Sequence, residues 1–402
     1  VFWVENTTPY EYRDVIVEAG LKWNEAFEKA GFKNAVHMKI MPDDASWDPA
    51  DVNYNVIRWV SSAQPSYGAI GPSFVNPRTG QILGSDISVE WYSGSAVPIY
   101  DELFDTRSIQ EGDHLHFPGM DNDHIAHCSL ASELKMQMMT GMTLLDATDG
   151  TKKNIKLMHK QFLYFLILHE MGHTLGLNHN MRASHMLSPA EVHDTTITHK
   201  LGLVGSVMDY PAINISSDRS KQGDYYTTKA GPYDLWAIEY GYTPFHEAEE
   251  ESGLKKILSR STDPHLAFGN DGDDMRAPGK AMDPRVNVND LTNDPIAYAE
   301  DRLKLVNQTM NSLVEKFSKP GQSYGELRSR YTILTGQRMG MISAISRFVG
   351  GIYIDRSFPE QKSASKPYTP VPLATQKKAV EVLNKYVFAP TAFDADAQVY
   401  PY

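Results

Sequence analysis

The chain of 402 residues has a single cysteine, Cys128, so no intramolecular disulfide can staple the fold, and cysteine usage leaves the compartment open. It has no surplus of positive charge. Thirty-eight Lys and Arg against 50 Asp and Glu give a net charge of -12, which opposes adhesion to DNA, RNA or anionic lipid, and no local basic patch reverses this. A nucleic-acid role is therefore excluded. Long apolar runs are missing too: Phe162 to Leu168 is far shorter than the about 20 residues a transmembrane helix needs. No internal repeat or low-complexity tract interrupts a composition that is 41% hydrophobic and 22% charged, which is that of a folded globular chain. The length exceeds what one hydrophobic core usually serves, so two domains are expected, divided near residue 250. Because the chain begins at Val1 inside an apolar run, it reads as a fragment or processed form whose targeting segment has been removed.

In the first part, a short strand at Val1 to Glu5 precedes a helix from about Glu11 to Ala30, whose apolar positions Val15, Leu21, Trp23 and Phe27 recur at roughly helical spacing before Gly31. Strands are expected at Ala35 to Ile40, Asn55 to Ser61, Gly68 to Val75 and Ile82 to Trp91, the last two flanking the turn Asn76-Pro77-Arg78-Thr79-Gly80. One sheet with a helix packed on it follows. Residues 92 to 153 are less regular and end in a helix from Ser129 toward Leu145. A long helix from about Lys156 to Gly176 is apolar around much of its circumference, which predicts deep burial. Beyond residue 250 a polar connector leads into helices: Asp294 as N-cap with Pro295 first inside, running to Phe317; a capping box of Ser323 and Glu326 opening a helix to about Phe348; and a third from Thr375 to Val387.

The chemistry concentrates on the long helix. His169 and His173 stand four apart, one above the other on one face, and can grip a single metal ion while Glu170 lies close to a water that the ion activates. By itself His-Glu-x-x-His would arise by accident in roughly 1 to 3% of chains this long. The run continues Thr174-Leu175-Gly176-Leu177-Asn178-His179, where Gly176 can take a positive φ and turn His179 back toward the same ion, which lowers the accidental rate to roughly 1 in 10,000. Three imidazoles leave a tetrahedral zinc one open position, as catalysis needs and a closed structural site forbids.

On these residues the chain resembles the metzincin clan of zinc endopeptidases, which share the elongated histidine motif and a methionine-containing turn beneath the metal. Ser206-Val207-Met208-Asp209-Tyr210 matches that turn, 29 residues after His179, and Tyr210 takes the place of the tyrosine found in the astacin-like and serralysin-like branches. The resemblance implies Met208 as the Met-turn residue and Tyr210 as a hydrogen-bond donor to the developing oxyanion. It also implies that Gly68, Ala69, Ile70, Gly71 and Ser73 belong to an antiparallel edge strand that binds extended substrate, and that Gly231 to Tyr242 is the last helix of the catalytic domain. The implied fold is α+β: a zincin catalytic domain over 1–250, with a twisted mixed five-stranded sheet, a long active-site helix and an insertion at about 92–153, followed by a mainly α-helical domain over 251–402. The chain resembles in particular large exported bacterial zinc peptidases with a helical C-terminal region, which implies a periplasmic, cell-surface or extracellular location. Asn180, directly after the third histidine, departs from the better-known branches.

The implied activity is hydrolysis of internal peptide bonds, with one catalytic Zn2+ held by His169, His173 and His179, Glu170 as general base, and a peptide or protein as partner. The competing reading is an inactive zinc-binding module or a glycan- or protein-binding surface module. Retention of Glu170, which does not bind the metal, counts against an inactive module. Other groups could chelate. His114, His116, Asp121, Asp123, His124, His127 and Cys128 have odd spacing for a second zinc and read first as a solvated loop. Asn270-Asp271-Gly272-Asp273-Asp274 could offer oxygens to a structural Ca2+ but lacks the twelve-residue loop and reads first as a hydrophilic turn. His185, His193 and His199 are expected at the surface or cleft wall.

Overall fold

A computed structural model describes residues 1–61, 69–90, 130–148, 152–275, 282–321, 323–361 and 365–402. Strand β1 (Phe2–Val4) lies between β2 (Met38–Ile40) and β3 (Asn55–Val60), parallel to both. Strands β4 (Ala69–Ile70) and β5 (Ser73–Val75) both run antiparallel to β6 (Ile82–Glu90), which is itself parallel to β3. Ala69 faces Val89 and Ser73 faces Ser85, so β4 and β5 are two pieces of one edge strand. Pro72, which has no N–H to give the ladder, lies in the interruption between them. The five strand positions expected are thus filled by six segments.

The single helix expected over residues 11–30 is two, α1 (Tyr10–Leu21) and α2 (Trp23–Lys29), separated at Lys22. Trp23 is fully buried just after this break and donates its indole N–H to the Leu168 carbonyl at 3.3 Å, fixing the helix pair to the long helix that carries Leu168. Helix α3 (Leu130–Thr148) precedes that helix, α4 (Lys152–Thr174), whose run Phe162 to Leu168 is buried at every position as its all-round apolar character requires. Helices α5 (Thr195–Leu201), α6 (Pro232–Tyr242) and α7 (Glu247–Leu258) follow; α7 was not anticipated.

In the last part, α8 (Pro295–Phe317) and α9 (Tyr324–Ser346) begin where their caps placed them. Asp294 accepts from Ala297 N–H at 3.0 Å, whereas Ser323 Oγ accepts from Gly325 N–H at 3.0 Å and Glu326 N–H goes to the Ser323 carbonyl at 3.3 Å, so the side chain of Ser323 makes a simple cap in place of the expected capping box. A small antiparallel hairpin, β7 (Ile352–Ile354) with β8 (Tyr368–Pro370), leads to α10 (Leu373–Leu383). Leu305, Val306, Met310, Leu313, Leu327 and Leu334 of α8 and α9 share one apolar cluster with Leu144 of α3, Phe165 of α4 and Val4 of β1. The core therefore runs across residue 250. Among the described residues, no helix is long and apolar enough to cross a membrane.

Candidate metal centre

Helix α4 ends on a Schellman turn: Leu177 N–H reaches the Gly172 carbonyl at 3.0 Å, Gly176 N–H reaches that of His173 at 2.9 Å, and Gly176 sits at φ +90°. The reversal brings His179 back beside the helix. One nitrogen from each of His169, His173 and His179 lies within 4.8 Å of the others, and among the described residues this is the one cluster of His, Cys, Asp or Glu side chains placed to hold an ion.

Each ring is oriented by its other nitrogen. His169 Nδ1–H donates to the Val207 carbonyl at 2.7 Å, His173 Nδ1–H to the Leu177 carbonyl at 3.1 Å, and His179 Nδ1–H to Asp271 Oδ2 at 3.2 Å. These partners leave the Nε2 lone pairs facing one another, with His169 and His173 Nε2 3.1 Å apart. Tetrahedral zinc with ligands at about 2.0–2.1 Å sets neighbouring nitrogens about 3.3 Å apart, so the donor set fits a three-histidine catalytic zinc site.

The Met-turn, residues 206–210, packs against the histidine helix and the loop after it. Met208 is fully buried with its sulfur against Gly172, where any Cβ would collide with it. Tyr210 is buried and its hydroxyl donates to His179 Nε2 at 3.1 Å, at the metal-facing atom. What pins the turn is Asp234, at the start of α6, which the sequence reading overlooked. It accepts from Ser206 Oγ–H at 2.5 Å, Val207 N–H at 2.8 Å and Gly231 N–H at 2.8 Å. Burial pushes its carboxyl up to about 6, against the pull of those three donors. Its only sequence cue was an acidic residue in the first turn after Gly231-Pro232.

Glu170 is fully buried, and the edge strand passes directly over it: a Cβ on Gly71 would lie 2.5 Å from the Glu170 carbonyl oxygen and 3.2 Å from Oε2. Ala69 and Ile70 stand in β4 and Ser73 in β5, while Gly68 is outside the described residues. So is the candidate second-zinc set of His114, His116, Asp121, Asp123, His124, His127 and Cys128. From the candidate calcium tract, Asp271 turns toward His179, and Asn270 Oδ1 caps the following turn through Gly272 N–H at 2.6 Å. His185 pairs with the buried Asp290 at 2.8 Å, and the exposed His199 with Asp224 at 3.1 Å. Asn180 joins the loop after His179 to the backbone of residues 267–269.

Burial first, and the neighbouring imidazoles second, hold His169 well below the usual histidine range and His173 down to about 4, so both are neutral ligands at pH 7. In metal-free protein this is a stability term. An unfolded histidine takes its proton near about 6.5, so the contribution of His173 is present above that pH and is lost as pH falls toward 4, on the order of 3 kcal/mol in all. Asp234 has the opposite sign, because its raised value favours the fold as pH falls through about 6. The measurement is therefore a difference: between pH 7.5 and pH 5, metal-free wild type is expected to lose more denaturant stability than a His173→Gln variant, in which the carboxyl contribution is unchanged. Equal losses would show that His173 does not resist protonation.

Comparison with protein families gives a match between residues 151–400 and a family model described as Met-zincin. No curated protein and no solved structure matches the chain. The match covers α4, the Met-turn, α6 and the segment carrying Asp271, and runs on through α10.

Proposed function

The chain belongs to the Met-zincin family, and from that premise we propose that it is a zinc-dependent endopeptidase that hydrolyses internal bonds of extended polypeptides. The observation carrying this reading is the position of Glu170. Its carboxylate is buried one residue from His169 and beneath the edge strand, where it serves a reaction better than it serves metal binding. Zinc, held by His169, His173 and His179, would supply Lewis-acid polarisation of the scissile carbonyl and acidification of the attacking water.

The side chains then have distinct tasks. Glu170 accepts the proton of the attacking water and returns it to the departing amine as the C–N bond breaks. Tyr210 O–H, which lies 3.1 Å from His179 Nε2, donates to the carbonyl oxygen as negative charge grows there. Among the described residues no strand pairs with the outer side of β4 and β5, and that side would offer backbone groups to an extended chain lying antiparallel to it, aligning one substrate carbonyl with the site. Met208 supports the ligands from below. Export to the periplasm or cell surface belongs to the same reading and rests on the resemblance to exported bacterial peptidases.

Incubating the zinc-loaded protein with a mixture of unfolded peptides tests the proposal. Internal cleavage should stop with a chelator and return with added zinc. No cleavage at full zinc occupancy would leave the alternative, an inactive zinc-binding or surface-binding module. Tyr210→Phe should lower kcat by about tenfold to a hundredfold with little change in KM, since its bond strengthens mainly in the transition state. A rise in KM with kcat unchanged would make it a substrate-positioning residue.

A further inference from the structure

We propose that Asp271 is a positioning residue of the zinc site, holding His179 through a carboxylate–imidazole hydrogen bond and raising the affinity for the metal; this rests on the zinc reading above. Among the described residues, His169 and His173 donate to backbone carbonyls and His179 donates to a carboxylate. Asp271 lies 92 residues further along the chain, in a segment outside the histidine motif and the Met-turn, and its partner is the ligand contributed by a loop and not by a helix. A loop ligand lacks the helical backbone that fixes His169 and His173, so it has the most to gain from an outside partner.

The segment bearing Asp271 is built to deliver it. Asn180 Nδ2–H donates to the Ala267 carbonyl at 2.9 Å and Asn180 Oδ1 accepts from Gly269 N–H at 3.1 Å, while Met181 N–H donates to the Gly269 carbonyl at 2.8 Å. Residues 267–269 are thereby laced to the two residues that directly follow His179. Gly269 is needed for the approach, since a Cβ there would lie 2.5 Å from Val286 and 3.3 Å from Arg182. Asn270 then caps one helical turn, Asp271–Asp274, whose first residue points back at His179. The departure of Asn180 from the better-known histidine motifs gains a reason, because its amide both donates to and accepts from this segment.

A carboxylate accepting from Nδ1–H fixes the tautomer that leaves Nε2 free, makes that nitrogen a better donor, and sets a negative charge near a dication held by three neutral ligands. Partners of this kind contribute about 10- to 100-fold to metal affinity. The Asp271 side chain is 30% exposed, so substitution does not open the core.

The experiment is a zinc titration of metal-free protein against a chromophoric chelator, with melting temperatures of the metal-free forms and the visible spectra of Co2+-loaded forms. Asp271→Ala is expected to weaken zinc binding by about 10- to 100-fold and to alter the Co2+ ligand-field bands. Asp271→Asn, which keeps an acceptor but not the charge, should fall between it and wild type. Metal-free melting temperatures should be unchanged. Zinc affinities of both variants within about twofold of wild type overturn the proposal, as does an affinity loss accompanied by a comparable fall in metal-free stability. If wild type takes up no zinc, the zinc reading fails along with it, whatever the variants do.

Discussion

Replacing Glu170 by Gln is expected to lower turnover by about a hundredfold or more while the zinc content of the protein is unchanged. Gln has nearly the same shape and leaves the buried position filled, but it cannot accept a proton from the attacking water. The loss should fall on kcat and kcat/KM alike, because the proton transfer belongs to the transition state and not to ground-state binding. Zinc should stay, since the three ligand rings donate to Val207, Leu177 and Asp271, which the substitution leaves in place. Peptide turnover measured together with elemental analysis of the same sample separates the possibilities. Undiminished turnover at full zinc occupancy would assign the proton to another residue; a loss of zinc in step with turnover would make Glu170 part of the metal's support.

The histidine helix and its ending were legible because their chemistry is written in local spacing: residues four apart share a face, and a glycine placed seven residues after His169 takes a positive φ. The Met-turn was legible only through resemblance, since Met208 alone reads as a core residue. Strand order near the site followed from the turn at Asn76 to Gly80, which folds the edge strand back on β6. Asp271 and Asp234 were not legible as partners of the site. Asp271 meets His179 across 92 residues and Asp234 meets Ser206 across 28, and no periodicity encodes contacts at such separations. The same limit hid the continuous core, because the pairing of α8 and α9 with α3 depends on how separated helices dock and not on any one of them. The hairpin of β7 and β8 escaped notice because three-residue strands are too short to display an alternating pattern.

Gly71→Ala is expected to be damaging out of proportion to the one methyl group it adds. In an ordinary strand position the substitution would be neutral or mildly stabilising, because it restricts the unfolded chain. Here the added carbon would stand 2.5 Å from the carbonyl oxygen of Glu170 and 3.2 Å from its Oε2. The carbonyl belongs to the interior of α4, where helical hydrogen bonding and the packing of Leu168 and Met171 hold it in place. The edge strand must therefore yield. Its interruption at Gly71-Pro72 makes it the softer partner, since no continuous ladder ties Ile70 to Ser73. A retreat of about 1 Å would separate the strand proposed to align substrate from the carboxylate proposed to take the proton. Misplacement on this scale costs about a hundredfold in turnover, and the overpacking costs about 1–3 kcal/mol of stability. Zinc affinity should not change, because the acceptors that orient the three ligand rings, on Val207, Leu177 and Asp271, are not part of the edge strand. Ser73→Ala, two residues along the same edge, serves as the control and should behave nearly as wild type. Wild-type turnover by Gly71→Ala would remove the edge strand from the reaction, and a loss of zinc as large as the loss of turnover would place the damage in the metal site instead of in substrate alignment.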